Sequence, residues 1–266
     1  AKFFHSTMMS PQGKIGLDYF LGRGLTMQTI RHFGLGYAPD SWDALLKYMR
    51  SKGFTNQELF DANLVRMSTK GERAHYYDNF KNRAMVPIID LRGNVIAFGG
   101  RVLDDSKPKY INTSDTMVYK KSNGVFALNF AKNGNPSQMI VAEGYMDVIA
   151  LHQAGFTNAI ACLGTALTQE QARLVARYAD EVVLSYDSDE AGQKATKRAI
   201  EIFSKTGVKI RVLKLTGGKD PDEIIKKFGK EKFRSLIDGA ANDIEYSILR
   251  ERDKYDLDSI DGKTKF

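Results

Sequence analysis

Four short apolar runs, each separated from the next by a stretch of helical length, restrict this chain more than any other feature. The runs are Met139-Ile140-Val141-Ala142, Ala159–Leu163, Val182–Tyr186 and Val208–Leu213. Between them, helical patterns occupy 144–154, 168–178 and about 190–205. Thr168 followed by Gln171 has the spacing of a capping box, which satisfies the N–H groups that open a helix. Strands that alternate with helices join through crossover connections, so they pair in parallel. The second half therefore reads as an α/β layer with a mostly parallel, Rossmann-like sheet. Three further helical segments follow, around 221–228, 230–238 and 241–253.

The first half follows a different pattern. Residues 10–61 read as helices, with Leu17, Phe20 and Leu21, then Trp42, Leu45, Leu46 and Met49, at helical spacing. Gly22, Gly24, Gly34, Gly36 and Pro39 punctuate them. From Ala62 the pattern turns to strands. Ala84–Ile89 and Val95–Val102 flank the turn-rich Asp90-Leu91-Arg92-Gly93-Asn94, a hairpin signal. Tyr110-Ile111 and Met117–Tyr119 read as shorter strands. The expected organisation is a mixed α+β subdomain over 1–137, a parallel-sheet subdomain over 138–228 and a helical subdomain over 229–266. With 266 residues and 42% hydrophobic content the chain is long and apolar enough for such cores, and disorder over most of it is excluded.

Charge divides the chain as well. Residues 1–140 carry 19 basic and 11 acidic residues, a net of +8, whereas 141–266 carry 20 and 21, a net of −1. A basic half points to an anionic partner such as nucleic acid, or else to a plain solvated face. The single cysteine, Cys162, excludes an internal disulfide framework and a Cys-rich zinc site, and points to a reducing compartment. No run approaches the roughly 20 apolar residues a membrane helix requires, and no charged-then-apolar leader opens the chain. Ala1 in place of an initiator Met, and the polar Lys263-Thr264-Lys265-Phe266, set the expectation of a piece of something longer.

In an open parallel sheet, chemistry gathers outside the carboxyl ends of the strands. The residues that follow each run are therefore the candidates. Glu143-Gly144 follows the first, Gly164-Thr165 the second and Asp187-Ser188-Asp189 the third. After the fourth comes Gly217-Gly218-Lys219-Asp220-Pro221-Asp222-Glu223. Each has a purely structural reading. Asp-x-Asp can be a turn or helix cap, Glu143 a first-turn acid complementing the helix dipole, and Lys219–Glu223 a helix start with proline at its first position. Carboxylates at three of the four strand ends are better explained together, as a site. Gathered acids repel one another, and a cation is the natural remedy. Oxygen ligands without paired His or Cys favour Mg²⁺ or Mn²⁺ over zinc, in a site suited to phosphoryl transfer. Asp147 lies four residues after Glu143, on the same face of the first helical turn.

These residues resemble the toprim domain shared by bacterial primases, topoisomerases and some nucleases: Glu143-Gly144, then Asp187-x-Asp189 with Gly192 three further on, on a β-α-β-α-β frame. Longer strings are similar to the DnaG-type primase form. They are Glu143-Gly144-Tyr145-Met146-Asp147, Gly164-Thr165-Ala166-Leu167 and Lys219-Asp220-Pro221-Asp222. Upstream, Tyr19-Phe20-Leu21 leading to Arg23-Gly24-Leu25, Arg83–Ile88, Phe98-Gly99-Gly100-Arg101 and Lys109-Tyr110-Ile111-Asn112 continue the resemblance in collinear order.

The resemblance implies an RNA-polymerase core that copies single-stranded DNA into short RNA primers from ribonucleoside triphosphates. It implies Glu143, Asp187 and Asp189 as the central acids, supported by Asp147, Asp220 and Asp222. Asp187, Asp189, Asp220 and Asp222 are then metal ligands for Mg²⁺ or Mn²⁺, more than one ion, with no zinc in this fragment. Glu143 is a further ligand or the base for the attacking 3′-hydroxyl. The Gly164-Thr165 loop is expected close to the metal site. Arg23, Arg101, Lys109, Tyr110, Asn112 and Lys121 are implied in nucleotide and template binding, phosphates meeting Lys and Arg and a base stacking on Tyr110. Implied partners are the single-stranded template, NTPs, the RNA primer–DNA hybrid, guanosine tetraphosphate as an inhibitor, and the replicative helicase through a C-terminal domain absent here. No membrane is implied. A monomeric core in the bacterial cytoplasm, at the replication fork, is expected.

Two positions depart from the family pattern. Ser188 stands where glycine is frequent between the paired aspartates, at little expected cost, and Lys219 stands where an acid often precedes Asp-Pro-Asp, altering local charge. The zinc module and helicase-docking module of full-length primases have no counterpart here, so a core of low efficiency and selectivity is expected. The competing readings are another toprim enzyme, a topoisomerase or nuclease, and a toprim nucleic-acid-binding module without catalysis.

Overall fold

The computed structural model describes residues 1–69, 74–134, 136–162 and 166–252. The chain forms two compact units, Ala1–Asn129 and Phe130–Phe266.

The first unit opens with helices α1 (Lys2–Met8), α2 (Lys14–Gly22) and α3 (Met27–His32), then strand β1 (Gly36–Ala38), α4 (Ala44–Ser51) and α5 (Asn56–Asp61). Strand β1 lies within the stretch expected to be helical. Its three residues are too few for a periodic signal, and they pair antiparallel with β4 (Arg83–Ile89), Gly36 opposite Met85 and Ala38 opposite Arg83. Gly36 is required there, because a Cβ would stand 2.6 Å from the Phe4 carbonyl carbon on α1. Strands β2 (Val65–Ser68) and β3 (His75–Asp78) form a separate hairpin. The main sheet runs β1-β4-β5-β6, with β5 at Val95–Val102 and β6 at Tyr110–Asn112. Strand β7 (Val125–Phe126) follows, and the short α6 (Leu128–Ala131) stands at the junction. Phe4, Leu45, Phe80, Met85 and Phe98 form a buried core, the Phe4 and Phe98 rings meeting edge-on at 5.2 Å.

Two expectations in this unit are corrected. Trp42 does not belong to the apolar face of α4: it precedes the helix, is 62% exposed, and meets Tyr77 edge-on. The helix starts later because the buried Asp78 carboxylate, from β3, accepts from the N–H groups of Leu45 and Leu46 at 2.8 and 2.9 Å. Met117–Tyr119 is not a strand. The Thr116 hydroxyl accepts from the N–H groups of Val118 and Tyr119, turning the chain locally. Met117 is left exposed while Tyr119 is buried.

In the second unit the sequence pattern holds closely. Strands β8 (Gln138–Ala142), β9 (Ala159–Cys162), β10 (Glu181–Ser185) and β11 (Lys209–Val212) alternate with α7 (Tyr145–Gln153), α8 (Gln169–Val175) and α9 (Glu190–Phe203). The pairs β8–β9, β8–β10 and β10–β11 are parallel. Helix α10 (Pro221–Asp238) is broken at Gly229, whose φ of 78° and ψ of 175° are open to glycine and to little else. This break is where the sequence separates 221–228 from 230–238. A two-residue strand β12 (Ala241–Asn242), not foreseen, pairs antiparallel with β11 and precedes α11 (Asp243–Arg252). The capping box of Thr168 and Gln171 is formed in both directions. Strand β9 is buried throughout, as is β8 from Met139 and β10 from Val182, which explains their unbroken apolar runs. Among the described residues, no helix is long and apolar enough to cross a membrane.

Candidate active site

Within the second unit the strand order is β12-β11-β10-β8-β9. The first crossover from β8 leads to β9 on one side, and the next leads to β10 on the other. The order therefore reverses between β8 and β10, the place where an open α/β sheet leaves a crevice beyond its strand ends. Ala142 pairs with Ser185 at the carboxyl ends of these two strands. Glu143 and Asp187 emerge side by side, and the Glu143 carboxylate accepts from the Asp187 N–H at 2.9 Å.

Helix starts place the remaining acids. Asp189 caps α9, accepting from the Gly192 N–H at 2.8 Å. Asp220 caps α10, accepting from the Glu223 N–H at 2.7 Å. The structural readings of these acids as caps are thus correct, and each cap uses one carboxylate oxygen. The Ser188 N–H donates to the Lys219 carbonyl at 3.1 Å, tying the two acidic loops together. Gly192 lets α9 approach Asp187 and Glu143 closely, since a Cβ there would lie 2.1 Å from the Asp187 carbonyl oxygen and 2.8 Å from the Glu143 carboxylate. Asp147 stands on the first turn of α7. Asp222, 6% exposed, accepts from the Lys226 ammonium at 2.6 Å, one turn further into α10. Gly164 and Thr165 lie outside the described residues.

The acids act on one another's charge. Burial, then the charges of Asp220, Asp187 and Asp222, push the Asp147 carboxyl up to about 7. Burial, then Glu143, Asp220 and Asp189, push Asp187 up to about 6, with Lys219 opposing. Glu143 is raised by burial and by Asp189, against the Asp187 N–H. Beside Glu143 lies a cavity of about 310 Å³, lined also by Cys162, Leu167, Tyr186 and Ala191.

Among the described residues, no three acidic, histidine or cysteine side chains stand in position to hold one ion. In chemistry, however, the donor set fits a hard divalent cation. It consists of carboxylate oxygens alone, and their mutual repulsion is the charge imbalance that such a cation relieves.

Three of the implied binding residues of the first unit, Arg101, Tyr110 and Asn112, lie on β5 and β6. Arg101 on β5 pairs with Tyr110 on β6, and Gly99 with Asn112. Lys109 immediately precedes β6, and Arg23 is the C-cap of α2. Arg101 and Arg23 both act on the Tyr110 hydroxyl, which burial and Tyr19 raise and the two arginines lower. Lys121 stands after β6, its N–H donating to Asp115 at 2.9 Å. The sequence reading assigned no role to the Arg83 side chain. Only 5% exposed, it donates to the carbonyls of Gly100 (3.1 Å), Pro108 (3.1 Å) and Lys109 (3.3 Å), and so holds the backbone that carries Arg101 and Lys109. An arginine opening a strand otherwise apolar over six residues was the available signal.

Two families match this chain. The DNA primase catalytic core, N-terminal domain, matches residues 3–132, and a Toprim-like family matches residues 140–225. A solved DNA primase domain from Pseudomonas aeruginosa is 39% identical with a TM-score of 0.88, covering 99% of this chain and 84% of that one. The chain belongs to the DnaG primase catalytic-core family. The DnaG primase catalytic domain solved bound to ssDNA matches this primase core at 35% identity and a TM-score of 0.86, over 99% of this chain and 83% of that one. The DNA primase of Clostridium acetobutylicum is 48% identical over 249 residues, which are 93% of this chain and 41% of the relative. The primase core thus spans less than half the length of that curated relative. The expected family and fold class are met, and toprim domains are in general associated with divalent metal binding.

Proposed function

We propose that this primase core synthesises short RNA on a single-stranded DNA template, joining ribonucleotides at the acidic cluster beyond β8 and β10. The observation that carries the reading is the side-by-side emergence of Glu143 and Asp187 at the switch point, with Asp147, Asp189 and Asp220 near enough to act on one another's charge. Asp187, Asp189 and Asp220 would hold Mg²⁺ or Mn²⁺, more than one ion, with Asp222 beside them. When bound, such ions neutralise charge on the attacking and leaving oxygens of a phosphoryl transfer. In each addition the primer 3′-hydroxyl oxygen bonds to the α-phosphorus of the incoming triphosphate. The bond from that phosphorus to the bridging oxygen breaks, and pyrophosphate leaves. Glu143 serves as a further ligand or accepts the hydroxyl proton. Arg23, Arg101, Lys109 and Lys121 meet phosphates of template and triphosphate, with Tyr110 and Asn112 beside them.

The ssDNA carried by the matched DnaG domain supports template binding, as does the net charge of +8 over residues 1–140. Further partners are the primer–template hybrid, guanosine tetraphosphate competing for the nucleotide site, and the replicative helicase through a separate domain of the whole protein. The place of action is the bacterial replication fork, in the cytoplasm. The test is ribonucleotide incorporation on single-stranded DNA with Mg²⁺ or Mn²⁺, wild type beside Asp187→Asn. Template-dependent RNA that disappears in the variant is the expected result. If folded, cation-binding wild type yields none on bare or pre-annealed template, the polymerase reading fails and a binding module takes its place.

A further inference from the structure

Tyr19 enters the sequence reading only as part of the string Tyr19-Phe20-Leu21. In the structure it lies on α2, four residues before Arg23, so the two share a helix face. Its ring sits under the Arg101 guanidinium, with 4.9 Å from the guanidinium carbon to the ring centroid. That is the geometry of a cation–π contact. Phe20, buried in the core, braces the ring edge-on at 5.3 Å, so the platform is fixed. Arg101 has two other contacts, both with neutral groups. It reaches the Val102 carbonyl at 3.4 Å and hydrogen-bonds the Tyr110 side chain across the strand pair. Neither neutralises its charge. The Tyr19 hydroxyl and the Arg101 Nε are both buried and make no hydrogen bond in this arrangement.

We infer that Tyr19 is a positioning residue for Arg101: its ring sets the plane of the guanidinium and presents the uncompensated charge to a phosphate of the bound single strand. A ring can do this where a carboxylate cannot, because it orients the fork without consuming the charge. The inference rests on the reading of Arg101 as a phosphate contact, and the experiment separates the two.

Affinity for a fluorescein-labelled oligothymidylate is measured by anisotropy over a salt series, for wild type, Arg101→Gln, Tyr19→Leu, Tyr19→Phe and the Tyr19→Leu/Arg101→Gln double variant. Each phosphate contact on a single strand adds about 0.7 to the magnitude of the slope of log affinity against log salt. Arg101→Gln should reduce that slope by about 0.7. Tyr19→Leu removes no charge, yet should reduce it by the same amount, with the double variant no lower, while Tyr19→Phe keeps the wild-type slope. Tyr19→Met, also without a ring, provides the same comparison if the leucine variant melts early. Weaker binding with an unchanged slope in the folded ring-less variants would overturn the inference, as would a double variant that loses a further contact. An unchanged slope in Arg101→Gln would remove the phosphate reading of Arg101, and the role of Tyr19 with it.

Discussion

The acidic cluster of the second unit and the basic, aromatic face of the first are proposed to serve one reaction, yet they are built oppositely. The acids are placed by the main chain: two follow paired strand ends, and two are helix caps. Their side chains repel one another, and burial adds to the cost. The cations are placed by other side chains. Arg83 ties down the strand backbone, and Tyr19 lies under Arg101. A site made by topology can carry internal repulsion without losing its shape. A site made by mutual support loses its shape when one supporter goes.

This contrast sets the outcome of three experiments. The largest effect belongs to Asp187→Asn, which should lower primer synthesis by at least about 10²-fold, the scale of losing one transition-state charge stabiliser, while the melting temperature stays level or rises. A collapse of stability with activity per folded molecule unchanged would break the comparison. Next, Arg83→Met should cost about 2–4 kcal/mol of stability, because three carbonyls lose a charged donor in a buried place. Urea unfolding would measure it, and a loss under 1 kcal/mol would show that water or neighbouring groups replace the guanidinium.

The third experiment varies pH. Asp147 and Asp187 have folded values near 7 and 6, above their ordinary 3.8. Between pH 4 and 7 the folded chain therefore keeps protons that the unfolded chain has released, so raising the pH across this window lowers stability, and above 7 the curve flattens. Thermal melts without divalent cation should show that decline, and millimolar Mg²⁺ should flatten it. A stability that climbs from pH 4 to 7 would mean the acids are compensated from within the protein.

What was legible in the sequence follows the same division. The strand-helix alternation from Met139 onward is a local signal repeated four times, so all four strands appear within about a residue of their expected ends, and the acids after three of them meet where expected. The first unit is governed by contacts between distant positions. Nothing near Trp42 announces that Asp78, more than thirty residues on, takes the first N–H groups of α4. A three-residue strand such as β1 carries no period. The hairpin of β2 and β3 is short and half-exposed, and likewise gives little pattern. Side-chain supporters are the hardest to foresee. Arg83 and Tyr19 sit inside recognisable strings, but their partners are carbonyls and a guanidinium many positions away.

The break at Gly229 divides the labour of α10. The leading segment holds Asp220, Asp222 and Lys226; the trailing one is rooted in the core by Phe233, which meets Phe156 edge-on at 5.1 Å. A rupture in the hydrogen-bond ladder at this point makes two cooperative units of what would otherwise be one rod. Amide protons of 222–228 should therefore exchange with solvent deuterium faster than those of 231–238, and only the leading set should slow when Mg²⁺ is added. The helix that bears part of the acidic cluster can thus adjust at its leading end while its far end stays anchored.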